Sequence, residues 1–168
     1  MKKTVRWILI VLGGAFLILQ FIRPDKNYSE KPQEGKISLT FPVPSDVQVI
    51  MKRSCHDCHS NNTVYPWYAE VQPVGWWLKS HIEDARDELN FDEFGTYRPM
   101  RQFTKLQQIA EQIEEDEMPL PSYLFLHRDA RLTPEEKTIL TDWVTAMRDS
   151  MKVWYPADSL QRPRRRPQ

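Results

Sequence analysis

Cys55-His56-Asp57-Cys58-His59 is a C-x-x-C-H run that holds both cysteines of the chain, and its spacing is that of covalent haem attachment. Two thiols separated by two residues stand about one helical turn apart, so both can reach the vinyl groups on one edge of a haem and become thioethers. His59 then falls beneath the ring, where its imidazole can bind iron as the proximal ligand. The run implies one covalent haem c and its iron, held by Cys55 and Cys58 and ligated by His59.

Three other uses of the cysteines fit less well. A dithiol redox pair opens a helix after a buried strand, and no valine- or isoleucine-rich strand precedes Cys55. A zinc site needs four ligands, and the chain has no second C-x-x-C and no H-x-x-x-H pair. A disulfide between Cys55 and Cys58 would close too small a loop to stabilise much.

Covalent haem is attached on the outer side of the cytoplasmic membrane, which predicts an export signal. Trp7 to Ile22 reads WILIVLGGAFLILQFI, interrupted only by Gln20, with Lys2, Lys3 and Arg6 before it. Counted from Val5, the run approaches the roughly 18 residues of a spanning helix. No A-x-A-like cleavage site follows it, which favours an uncleaved anchor over a removed signal. The basic residues before the run place the N-terminus in the cytoplasm, so the rest of the chain is expected on the periplasmic face of the inner membrane as a single-pass protein.

The expected divisions are a membrane anchor over 1–24, a flexible tether over 25–44, a haem domain over 45–155 and a basic disordered tail over 156–168. Pro32, Pro42 and Pro44 with no helical period mark the tether; Arg162-Pro163-Arg164-Arg165-Arg166 marks the tail. Lysine plus arginine equals aspartate plus glutamate at 23 each. The cations at the two ends leave the middle acidic, which argues against a nucleic-acid partner. A little over a hundred residues suffices for one domain with one core.

Periodicity predicts an all-α domain. One helix runs over 45–59, with Val47, Ile50, Met51 and Ser54 on one face. A second, over 74–89, places Trp77, His81, Ala85 and Leu89 together. A third, over 104–116, carries Leu106, Ile109, Ala110 and Ile113. The last opens on Thr133-Pro134-Glu135-Glu136, a capping-box threonine with proline at the first helical position, and buries Ile139, Leu140, Trp143, Val144 and Met147. No alternating strand pattern is present.

Glu117-Met118-Pro119-Leu120-Pro121 lies between the third and last helices. With the early C-x-x-C-H and the tryptophan-bearing final helix, it resembles a cytochrome c domain. Trp76-Trp77, His81, Arg86, Leu89-Asn90-Phe91 and the stretch from Met118 to His127 further resemble the haem-binding domain family of membrane-anchored monohaem bacterial proteins, over about residues 45–150. The resemblance implies a cytochrome c-like fold and a methionine at the distal side of the iron. Three residues compete for that sixth position. Met118 is the first candidate, because prolines stiffen its loop and His/Met ligation raises the potential. His81 is the second and His127 the third, with core packing and core hydrogen bonding as their ordinary alternatives.

Tyr65, Trp67, Tyr68, Trp76 and Trp77 are either haem cover or ordinary core. Arg86 and Arg101 are candidate propionate partners or surface ion pairs; His56 and Asp57 are expected to face solvent. The expected activity is single-electron transfer between redox protein partners at the membrane, without catalysis. The alternatives are a haem peroxidase, a gas or redox sensor with an open distal site, and a structural subunit of a respiratory complex.

Overall fold

The computed structural model describes residues 2–161. Among them the regular structure is entirely helical, as the periodicity predicts. Helix α1 (Lys2–Leu19) projects with no buried residue. The domain follows with α2 (Ile37–Thr40), α3 (Ser45–Ser54), α4 (His56–His59), α5 (Val74–Glu88), α6 (Pro99–Glu114), α7 (Pro121–Leu124) and α8 (Pro134–Trp154). Short 3-10 turns stand between several of these.

The core forms between α6 and α8, with α3 packed against α8. Leu106 and Ile113 of α6 meet Leu140, Trp143, Val144, Met147 and Met151 of α8, all buried. The α8 cap is the predicted one: the Thr133 side chain accepts from the Glu136 backbone N–H, and the Glu136 side chain accepts from that of Thr133. Helix α6 starts earlier than its apolar stripe indicates, because Pro99 stands at its first turn with its φ already set for a helix. The expected single helix over 45–59 is instead two. Cys55 (φ −128°, ψ −41°) leaves the helical region after α3, and a short turn, α4, restarts beyond it.

Residues 25–44 are not a flexible tether. Ile37 and Phe41 are buried in the main core, Phe41 stacks on Trp154, and the Trp143 indole N–H donates to the Pro42 carbonyl. The prolines misled because they mark an extended strap that wraps the domain. The tail also begins later than expected: Ala157–Leu160 is a 3-10 turn with Leu160 buried in the core, and the arginine run from 162 lies outside the described residues.

Among the described residues no helix is long and apolar enough to cross a membrane. Helix α1 has 18 residues, about 27 Å at 1.5 Å per residue. Lys2, Lys3 and Arg6 lie inside it, so its uncharged part is shorter than the roughly 20 residues of a span. The expected transmembrane helix is therefore not supported.

Candidate functional site

Helix α3 delivers Cys55 to the main core and α4 carries His59 on one further turn. The His59 imidazole Nδ1 lies 2.9 Å from the Leu89 carbonyl oxygen and 3.1 Å from that of Ala85. These carbonyls belong to the C-terminal end of α5; that of Leu89 has no onward helical partner, while that of Ala85 also accepts from Leu89 N–H at 2.8 Å. An atom facing two carbonyls must carry the proton, so Nδ1–H is the donor and Nε2 keeps its lone pair. Burial also holds the imidazole below its usual protonation range, although the two carbonyls and Glu88 oppose this. His59 is thus a neutral imidazole in one tautomer, the state of a metal ligand. Its backbone carbonyl accepts from Phe91 N–H at 2.8 Å.

A cavity of about 340 Å³ opens beside it, within the roughly 300–1,000 Å³ of cofactor pockets. Leu89, Phe91, Ile109, Ile113 and Leu132 give it apolar walls, and Cys55, His59 and Met118 line it together. Met118 reaches it through the end of α6. Asp116 has φ +59°, Glu117 N–H donates to the Gln112 carbonyl and Asp116 N–H to that of Ile113. This is a Schellman turn with aspartate in the left-handed position. Met118 N–H also donates to Gln112, which folds the methionine back toward the helix.

Cys58 does not line the cavity. It packs with Tyr65 and Tyr68 against the small cluster of Ala69, Leu78 and Ile82. Burial pushes the Cys55 thiol up to about 12 and the Cys58 thiol up to about 11, so both are protonated at neutral pH.

His81 and His127 are elsewhere. The buried stripe of α5 is Gly75, Leu78 and Ile82, a rotation away from the predicted one, and it leaves Trp77 exposed. His81 packs on Trp77 with the two rings tilted by 45°, and its Nδ1 is hydrogen-bonded to the Trp77 carbonyl of its own helix. His127 stacks on Tyr123 at 4.2 Å and shares a 2.9 Å hydrogen bond with the Tyr68 hydroxyl. Tyr123 in turn donates to the Asp57 carboxylate. Asp57 is therefore an acceptor within the domain, and His56 is partly buried against Phe91; neither simply faces solvent.

None of the five aromatic residues singled out in the sequence lines the cavity; the ring that does is Phe91. Arg86 donates to Asn61 Oδ1, and Arg101 lies over the Tyr97 ring. The cavity's cation is Lys105, buried and paired with Glu88. Its signal in the sequence was a lysine on the stripe of Ile109 and Ile113, four and eight residues on. A second unforeseen feature is a buried amide cluster. Asn61 N–H donates to Asp92, Asn90 Nδ2 and Arg86 both donate to Asn61 Oδ1, and Asp92 N–H donates to Asn90 Oδ1. It ties the segment after His59 to the segment after Leu89.

The donors are a neutral imidazole, a thioether sulfur and a thiol in an apolar cavity, a set suited to a haem iron and porphyrin rather than to a bare ion. Among the described residues no three histidine, cysteine or acidic side chains converge on a metal position. Ser54 Oγ and Gln108 Oε1 are buried beside the cavity without a hydrogen-bond partner, as expected where a ligand brings polar groups of its own. The haem-binding domain family matches residues 14–146. The chain belongs to that family. It is a haem-binding protein whose family match begins within α1 and takes in the strap over 25–44. No curated protein and no solved structure matches this haem-binding chain.

Proposed function

We propose that the chain carries one covalent haem c and passes single electrons between redox proteins at the outer face of a membrane, to which α1 anchors it. In this reading Cys55 and Cys58 form the thioether links, His59 Nε2 is the proximal ligand and Met118 the sixth. Haem so held supplies reversible one-electron chemistry at its iron.

The observation that carries the reading is the pinned tautomer of His59 in a cavity that Met118 also lines. The two α5 carbonyls orient the imidazole and raise its basicity. The apolar walls exclude water, which favours the less charged iron state, and the Schellman turn fixes where the thioether sits. Lys105 is placed to meet a carboxylate that enters the cavity. Support for anchorage comes from α1, whose apolar side chains are exposed all round.

The test is the absorption spectrum of the full chain, expressed with haem-attachment machinery, oxidised and reduced, with and without carbon monoxide. Haem that survives denaturation, with a low-spin spectrum and a methionine-to-iron band, is the expected result. A high-spin, carbon monoxide-binding spectrum would replace the carrier with a catalyst or sensor. Haem lost on denaturation would remove the thioether links while leaving haem binding intact.

A further inference from the structure

Helix α1 does not simply lead into the domain; its end is clasped by it. The Gln20 side chain pairs with the Gln72 backbone in both directions: Nε2 donates to the Gln72 carbonyl at 3.1 Å, and Oε1 accepts from its N–H at 2.9 Å. Two residues on, the Ile22 carbonyl accepts from the Trp76 indole N–H at 2.8 Å. Arg23 and Lys26 both pair with Glu70. Gly75 lets α5 start close against the turn that bears Gln72, since a Cβ there would lie 2.3 Å from the Ala69 carbonyl oxygen.

Around this junction several large apolar side chains are exposed beside the charged Arg23 and Lys26. Phe21 and Ile22 on one side, and Val74 and Trp77 on the first turn of α5, are open to solvent. They continue the bare apolar surface of α1 onto the domain. Tryptophan at the end of an apolar helix, with Arg23 and Lys26 beside it, is the composition of a membrane interface. A lipid surface therefore fits this patch better than a protein groove would, because the patch and the helix form one continuous apolar body.

We infer that the chain sits on a phospholipid surface in one fixed orientation, with Phe21, Ile22, Val74 and Trp77 in the headgroup layer and the haem cavity at the opposite end of α5. This rests on the anchorage proposed above and adds a defined face to it. Helix α5 has 15 residues, about 22 Å along its axis. The clasp holds its first turn, while Ala85 and Leu89 at its other end hold His59. The helix is thus a strut that sets the cavity away from the junction.

Hydroxyl-radical footprinting of the full haem-loaded chain in phosphatidylethanolamine/phosphatidylglycerol vesicles tests this, with exposed Phe125 and Val153 as internal standards. Loss of labelling at α1, Phe21, Val74 and Trp77 together is the expected result. Helix α1 labelled as fast as Phe125 would sink the anchorage itself. Protected α1 with Val74 and Trp77 labelled as fast as the standards would leave the anchor and overturn the seat. Protection at Trp77 that follows protein-to-lipid ratio would point to a second copy instead and also overturn it. In Gln20→Ala, α1 should stay protected while labelling at Val74 and Trp77 rises; unchanged labelling would refute the clasp as the orienting device.

Discussion

His59 and Leu89 are joined across 2.9 Å, imidazole N–H to backbone carbonyl, so the end of one helix holds the ring that another short helix presents. Ala85 accepts from the same nitrogen and also from Leu89 N–H, so a ring flip would leave the Leu89 carbonyl without its donor. Substituting His59 by alanine should abolish the low-spin haem spectrum. Met118→Ala should keep covalent haem but turn the spectrum high-spin and carbon monoxide-binding. An unchanged Met118→Ala spectrum would take Met118 out of the ligand role.

The position of Cys58 against Tyr65 and Tyr68 makes the two thiols separable. Single Cys55→Ser and Cys58→Ser variants should each leave a single thioether, seen as a shifted pyridine haemochrome band on denatured protein. Full two-thioether absorbance in Cys58→Ser would mean that Cys58 is not a haem link.

Asp116 holds a left-handed backbone position just before Met118. A β-branched residue is strained there, so Asp116→Val should cost about 1–2 kcal/mol in urea unfolding. Asp116→Gly should not show this loss. Because the same turn directs Met118, the valine variant should also weaken the methionine-to-iron band.

Asn90 is buried and serves both Asn61 and Asp92 N–H. Asn90→Ala leaves Asp92 N–H without its acceptor and removes one of the two donors to Asn61 Oδ1, and about 1–3 kcal/mol of stability should be lost. The loss should be smaller in Arg86→Ala, which removes one of two donors to Asn61 and leaves the other.

Acid sensitivity should centre on Glu136. Its hydrogen bond from Arg53 is the largest cause holding its carboxyl below the usual range; the Thr133 N–H adds to this and burial opposes it. A carboxyl depressed in the folded state contributes stability above its unfolded value, about 4.3, and that contribution disappears as pH falls through the lower folded value. Glu136→Gln should therefore be less stable than the parent at pH 7. The gap should narrow below about pH 4, as read from urea midpoints across pH.

The parts of the structure legible in the sequence were those set by local chemistry. Thr133-Pro134-Glu135-Glu136 announces its helix because each residue satisfies an end group within the same turn. Val47, Ile50, Met51 and Ser54 announce theirs by spacing. Cys55 and His59 were singled out by their motif, and Met118 by its prolines and its resemblance, and the structure brings these three to one cavity. What could not be read depends on partners distant in sequence. The buried face of α5 is chosen by the small cluster around Ala69, which turns His81 outward. Lys105 resembles any surface lysine until Glu88 and the cavity wall surround it. Ile37 and Phe41 stand in a proline-marked stretch, and their burial depends on partners far along the chain: Phe91 and Phe94, and Trp154 of α8.

The bond from Trp143 to Pro42 spans 101 residues, and it sets an order of events during synthesis. The chain emerges from its N-terminus, so the strap can pair with Phe91, Phe94 and Gly95 first, while Phe41 gains Trp154 and Pro42 gains Trp143 only once α8 exists. Until then the core against which Cys55 packs lacks its α8 side. Completion of α8 therefore closes the strap and that core in one step.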